Sequence, residues 1–153
     1  MGTYSDVGVC LTFKNKDKFK AFAATVILSG IKADVFDMFQ QVPPCKSGLR
    51  LVLVMSEPES KWYQDDPDFE DVVLIDALWS LATESADVEH GGDGLVESGR
   101  YIIIGEDGHI DDTEIMDSDY NCEAREYLSW SSPQIHLEHE PLETTARQLI
   151  KEK

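Results

Sequence analysis

Hydrophobic positions recur with two different periods at the start of the chain. Apolar side chains occupy positions 7, 9, 11 and 13, and this alternation is typical of a β-strand. Between Asn15, a favourable N-cap, and Gly30, a favourable helix end, apolar side chains at 19, 22, 23, 26 and 27 share one helical face. The pattern therefore predicts a strand followed by an amphipathic helix.

The next hundred residues continue with the same two patterns. Residues 33–42 fit either a strand or a short helix, which Pro43 and Pro44 end. Residues 49–55 are almost wholly apolar, which favours a central strand, and residues 57–66 predict a polar loop. Asp66 followed by Pro67 predicts a helix start, with the helix reaching about residue 85, and residues 101–104 form a β-branched strand.

The order strand, helix, strand, strand, helix, strand indicates an α+β protein with one domain over residues 1–153. We expect a ferredoxin-like βαββαβ sandwich. A hairpin with its turn at 105–108 and its return strand at 110–116 would be an addition, as would a C-terminal helix over 141–153. Residues 127–137 look extended, with an interruption at Pro133. One face of such a sheet packs the helices, and we expect the other to be free to meet a partner.

Charge changes this picture most. The chain has 153 residues, 42% of them hydrophobic, and a net charge of −17. Residues 1–56 hold seven basic and four acidic side chains, residues 57–123 hold two basic and 21 acidic, and residues 124–153 hold four basic and five acidic. The segment 57–123 therefore accounts for the whole excess, which is far more negative charge than solubility requires.

This charge also disfavours some function classes. A strongly negative surface repels nucleic acid phosphates and anionic lipids, so we expect no direct nucleic acid or membrane binding. Nothing approaches the roughly 20 apolar residues of a membrane span, and the N-terminal residues lack a signal-peptide pattern. The three cysteines are odd in number and far apart, which favours free thiols and the cytoplasm.

The acidic segment 57–123 predicts an acidic binding surface. We expect a non-catalytic inhibitor or regulator whose carboxylates imitate phosphates on a basic, nucleic-acid-handling protein, as immunity proteins or phage-type anti-defence proteins would. Two aromatic residues among the carboxylates, Trp62 and Tyr63, are either interface anchors or fold back over the second helix. The predicted partner-binding residues are Trp62, Tyr63, Asp65, Asp66, Asp68, Asp71, Glu106, Asp107, Asp111 and Asp112.

A second hypothesis is a divalent-metal-dependent enzyme that uses the hairpin at residues 107–119. Asp107, His109, Asp111 and Asp112 offer hard ligands for Mg²⁺, Ca²⁺ or Mn²⁺. Farther along, Asp117 and Asp119 begin a calcium-loop pattern that then fails. We predict no catalytic residue, no metal ligand and no cofactor, and no motif in the sequence names a reaction.

A third hypothesis is self-association into a homo-oligomer. Four lysines at 14, 16, 18 and 20 stand at the start of the first helix, where cations oppose the helix dipole. Together with the helix amides they form a candidate anion site. Its anion would be the acidic segment of the same chain or of a second copy.

Overall fold

The computed structural model describes residues 4–44, 48–64, 66–86, 94–116 and 122–152. Seven strands and three α-helices are described, together with 3₁₀ helices at Ala33–Met38 and Glu123–Glu126. The strands are β1 (Ser5–Phe13), β2 (Gln40–Val42), β3 (Leu51–Ser60), β4 (Ser98–Gly105), β5 (Ile110–Ile115), β6 (Leu128–Ser131) and β7 (Gln134–Leu137). The helices are α1 (Lys16–Leu28), α2 (Glu70–Ser85) and α3 (Ala146–Lys151). The predicted α+β class is confirmed.

The main sheet is antiparallel throughout, with strand order β2-β3-β1-β4-β5. Strand β3 lies between β1 and β2, and β1 lies between β3 and β4, so α1 and α2 each lie in a connection between two parallel strands that are not neighbours. This order is compatible with the predicted βαββαβ sandwich. The predicted hairpin is present as β4 and β5, and β5 forms an edge of the sheet.

The sheet separates two hydrophobic cores. Odd-numbered residues of β1 and β3, such as Val9 and Leu53, belong to a core shared with α1 and α2. Even-numbered residues, such as Cys10 and Val54, belong to a second core with Tyr127 and other residues of the 122–137 segment. The two faces differ because successive side chains of a strand point to opposite sides.

The second face of the sheet is covered, which corrects the expectation that it is free. The hairpin of β6 and β7 packs on it, and Gly8 of β1 makes the close approach possible. A Cβ atom at Gly8 would lie 2.9 Å from Ile135 Cγ2 and 3.0 Å from Leu128 Cδ1. The extended segment at 127–137 is thus this hairpin, with Pro133 in the turn between its strands.

Several element bounds differ from the sequence prediction. Strand β3 continues to Ser60 through the predicted polar loop, because its last residues pair with the start of β1. Helix α2 begins at Glu70, after turns at 66–69. The segment predicted as either strand or helix contains both, a 3₁₀ helix and then β2.

The C-terminal helix is shorter than predicted. Leu142 N donates to Gln41 O, and Gln41 N donates to Thr144 O, so residues 142–144 extend along β2. Thr145 then starts α3 with a capping box to Gln148. Within the described residues, no helix combines the length and hydrophobicity that a membrane-spanning segment needs.

Candidate acidic binding site

Strand direction brings acidic residues from distant parts of the chain to one end of the sheet. Ser5, at the start of β1, pairs with Ser60 at the end of β3 and with Gly105 at the end of β4. The loop into α2 and the β4–β5 turn leave from this same end. We call this region the acidic end and define it by the carboxylates of Asp6, Glu57, Glu59, Asp66, Asp68, Glu70, Asp71, Glu106, Asp107 and Asp111.

The loop before α2 and the first turn of α2 contribute three of the predicted partner-binding carboxylates. Asp66 Oδ1 accepts from Asp68 N at 3.0 Å, which forms a tight turn before the helix. Asp71, in the first turn of α2, lies close enough to Glu57 to interact with it. Partial burial of Glu57, and then the Asp71 charge, raise the pKa of the Glu57 carboxyl above its usual value. Asp65, also predicted, lies outside the described residues.

The β4–β5 turn and the start of β5 contribute three more. Glu106 and Asp107 are exposed at its tip, where Gly108 adopts a φ of 90°. Asp107 Oδ1 accepts from His109 N at 3.1 Å, and Asp111 Oδ2 lies 3.2 Å from His109 Nε2. The turn therefore presents Glu106 and Asp107 to solvent, while Asp111 has a histidine neighbour.

Asp112 lies on the other face of β5, although it was predicted to bind the partner. Its carboxylate accepts from Arg100 Nη2 at 2.8 Å and from Trp130 Nε1 at 3.1 Å. Partial burial would raise the pKa of Asp112, but the hydrogen bonds from Arg100 and Trp130 prevail and lower it. Glu114, two residues on, is likewise paired with Arg125, which lowers the pKa of Glu114. These two charges are compensated within the molecule.

Burial differs between Trp62 and Tyr63, which were predicted either to anchor an interface or to fold back over the second helix. Trp62 is 6% exposed, belongs to the main core, and donates from Nε1 to Tyr101 Oη at 2.8 Å. It is therefore a buried residue that offers little area to a partner. Tyr63 is half-buried, with its ring centroid 5.1 Å from that of Phe69.

The four residues of the metal hypothesis do not converge. Asp111 and Asp112 are adjacent on β5 and therefore face opposite sides of the sheet. Asp112 is bound to Arg100, whereas Asp107 accepts from a backbone N–H. Among the described residues, no group of three or more His, Cys, Asp or Glu side chains is arranged to hold a metal ion. Asp117 and Asp119 lie outside those residues.

The lysines at the start of α1 lie at the opposite end of the sheet, since β1 ends at Phe13. Lys16 Nζ pairs with the Glu152 carboxylate, and Lys20 Nζ donates to the Glu152 backbone oxygen. The anion beside these lysines is thus the residue after α3, and it comes from outside the acidic segment. Asn15 caps the helix by accepting from Lys18 N at 2.9 Å.

A groove of about 760 Å³ opens at the acidic end, between the end of the sheet and the tip of the β6–β7 hairpin. Its walls combine apolar side chains with carboxylates from three strand ends. The residues that line it are Tyr4, Ser5, Asp6, Pro58, Glu59, Ile104, Glu106, Pro133, Gln134 and Ile135. Of these, only Glu106 belongs to the predicted partner-binding set.

A β-bulge shapes one wall of this groove. Ser5 pairs with Ser60 and Val7 with Glu57, so β3 has one residue more than β1 between these pairs. Glu59, inside the bulge, has a φ of 48°, and its N–H donates to Asp6 Oδ1 at 3.0 Å. No local sequence signal identifies this arrangement, because Asp6 and Glu59 are 53 residues apart.

The two described cysteines are buried thiols. Cys10 is in the second core, and its pKa is raised well above the usual value, chiefly by burial. Burial and the nearby Glu114 raise the pKa of Cys122 to about 11. Since the thiolate is the nucleophile, neither thiol is activated for catalysis.

Searches of family models, curated proteins and solved structures found no match for this chain.

Proposed function

We propose that this protein is a non-catalytic inhibitor or regulator that docks its acidic end on a basic partner protein. The observation that carries the proposal is the convergence of carboxylates from the start of β1, the end of β3, the start of α2 and the β4–β5 turn. The partner surface would be one that handles nucleic acid, since clustered carboxylates can take the place of phosphates there.

The balance of charges at the acidic end supports this proposal. Within the described ranges it contains two ion pairs, Lys32–Glu70 and His109–Asp111, and the latter counts only when His109 is protonated. By contrast, Asp112 and Glu114 on the hairpin face of β5 are paired with arginines. The negative charge that a partner meets is therefore concentrated at one end of the molecule.

Concentrated charge of one sign has a defined effect on binding. It attracts a basic surface over a distance of about 10 Å at 0.1 M salt and speeds association, while adding less to affinity. We therefore expect association with the partner to slow steeply as salt rises. The expected compartment remains the cytoplasm, which suits free thiols such as Cys10.

Two charge-matched baits test the proposal by affinity capture from a lysate of the native host. The test variant carries D66N, D68N, E106Q and D107N at the acidic end. The control variant carries D17N, E84Q, E140Q and E143Q, which are exposed residues away from that end. Both variants gain four units of charge, so a general charge effect weakens them equally.

We expect wild type and control to retain the same basic protein at low salt and the test variant to lose it. Added duplex DNA should also displace that protein if the carboxylates stand in for phosphates. Retention by all three baits, or equal loss from both variants, would show that the acidic end is not the docking surface.

A further inference from the structure

We propose that the groove at the acidic end binds an arginine side chain of the basic partner. This inference rests on the proposed function and adds the chemistry of its central contact. A volume of about 760 Å³ lies within the range of small-ligand pockets, about 300–1,000 Å³. The groove therefore has room for one long side chain and for the backbone that carries it.

The walls of the groove match the two parts of an arginine side chain. Pro58, Pro133 and Ile135 provide apolar surface for the three methylene groups. Glu59 and Glu106 add carboxylates at the rim, and within the described residues neither is in an ion pair. A guanidinium group placed between them would pair with acceptors that are otherwise left to water.

Asp6 supplies a carboxylate whose position is fixed. Its Oδ1 accepts from Glu59 N at 3.0 Å and its Oδ2 accepts from Ile135 N at 3.2 Å. Each carboxylate oxygen has a second acceptor site, so Asp6 can still accept from a ligand. Because both bonds come from backbone N–H groups of different strands, this carboxylate is held in place before a ligand arrives.

Tyr4 favours arginine over lysine. Tyr4 is 44% exposed, and Lys61 Nζ lies over its ring, 5.8 Å from the centroid, so a cation can reach this ring face. A planar guanidinium can stack on such a ring while it donates to two carboxylates, whereas an ammonium group is a point charge. Lys61 is a competing charge at this place, and Asp6, Glu59 and Glu106 together outweigh it.

The test is an NMR titration of the full chain at low salt with three blocked peptides of the same length. The peptides contain arginine, lysine or neutral citrulline at two positions between glycines. We expect the arginine peptide to shift the amide signals of Asp6, Glu59 and Ile135 and to bind more tightly than the other two. The comparison with citrulline measures what the positive charge adds to binding, and the comparison with lysine measures what the planar guanidinium group adds.

Two pairs of substitutions separate the groove from its charged surroundings. E59Q with E106Q removes two carboxylates that line the groove, while D68N with D71N removes two from the acidic end outside it. Losing two exposed ion pairs should weaken arginine-peptide binding about three- to tenfold. The control pair should weaken it less than twofold, and Y4L should weaken it although the net charge is unchanged.

Equal weakening by both pairs, or shifts spread over the whole acidic end, would overturn the groove as a specific site and leave the proposed function standing. Equal affinity for the lysine peptide would overturn the assignment to arginine. No binding of the arginine peptide by the wild type would overturn the inference entirely. Failure of the proposed function shows separately, because it is decided by retention of the intact partner in the capture experiment.

Discussion

Replacing Tyr101 by phenylalanine tests whether Trp62 is a core residue. The Tyr101 hydroxyl accepts from Trp62 Nε1 at 2.8 Å and donates to Asp76 Oδ1 at 2.9 Å. It thereby links the loop after β3, strand β4 and helix α2. Y101F keeps the buried ring and its edge-on contact with Trp79, and it removes only the hydroxyl with its hydrogen bonds, which include one with Gln64.

The cost of Y101F follows from the burial of the groups that lose their partner. Trp62 is 6% exposed, so water cannot replace the lost acceptor, and an unsatisfied buried donor costs about 1–3 kcal/mol. Asp76 is half-buried and has a further interaction, so it adds little. We expect a loss of about 2 kcal/mol in the free energy of unfolding, which lowers Tm by about 4–8 °C for a chain of this length.

Urea denaturation of Y101F, W62F and the double variant measures this link directly. We expect a coupling energy of about 1–2 kcal/mol between Tyr101 and Trp62. Y4F is the matched control, since the half-exposed Tyr4 should change stability by less than about 0.5 kcal/mol. Additive effects of Y101F and W62F, or a Y101F as stable as wild type, would refute the core assignment and return Trp62 to the candidate interface anchors.

Three further substitutions test other contacts. G8V should destabilise the fold by about 1–3 kcal/mol in urea denaturation, because its side chain displaces Ile135 and the hairpin. E57Q should raise the free energy of unfolding at pH 7 by a few tenths of a kcal/mol, because Glu57 is partly buried beside Asp71. The pKa of Glu57 is raised in the folded protein, so its ionisation costs stability as pH rises, and the gain from E57Q should vanish at low pH, where the carboxyl is protonated in both the folded and the unfolded chain. D112N should lower the free energy of unfolding by about 1 kcal/mol at pH 7. Because the pKa of the Asp112 carboxyl is lowered in the folded protein, the stability that the ionised carboxylate adds is lost as pH falls through the folded-state pKa. The difference in stability between D112N and wild type should therefore shrink in that pH range.

Each of these has a control and an outcome that contradicts it. G48V is the control for Gly8, because a Cβ atom at Gly48 would meet nothing within 4 Å. E140Q is the exposed control for both carboxylates and should be nearly neutral at every pH. A G8V as stable as G48V would mean that the hairpin does not pack against β1, and a pH-independent effect of E57Q or D112N would contradict the stated pKa directions.

The local hydrophobic pattern was sufficient to predict whether these segments are helices or strands, whereas pairing with distant residues decided where the elements end. Alternation predicted β1, helical periodicity predicted α1, apolar and β-branched runs predicted β3 and β4, and the Asp66–Pro67 start signal predicted α2. Strand β3 continues to Ser60 because it pairs with Ser5, and residues 142–144 are extended because they bond to Gln41. The covered second face left signals in the sequence, namely apolar residues at even positions such as Val52 and Val54 and a glycine at position 8 inside a strand.

The sequence predicted an excess of negative charge in the segment 57–123, but it did not predict where in the fold the site lies. Counting charges identified the segment that contains Asp66 and Glu106, but the segment also contains Asp112, which lies on the hairpin face of β5. Conversely, Asp6 belongs to a segment with a net positive charge and reaches the groove only because β1 begins between the ends of β3 and β4. Register and strand direction, which depend on contacts between distant residues, decide both cases.

The separation of the charged regions limits how copies of this chain can associate. The acidic end lies where β1 begins, and the lysines of α1 lie where it ends, about 30 Å away for a nine-residue strand. End-to-end contacts between the acidic end of one copy and the α1 lysines of the next would form an open chain of copies, whereas an antiparallel side-by-side pair would form a closed dimer. Because Lys16 and Lys20 already contact Glu152, we expect a monomer of 17.2 kDa by sedimentation at low salt. A mass that grows with concentration and falls with added salt would instead mean that the acidic end is met by a second copy of the chain.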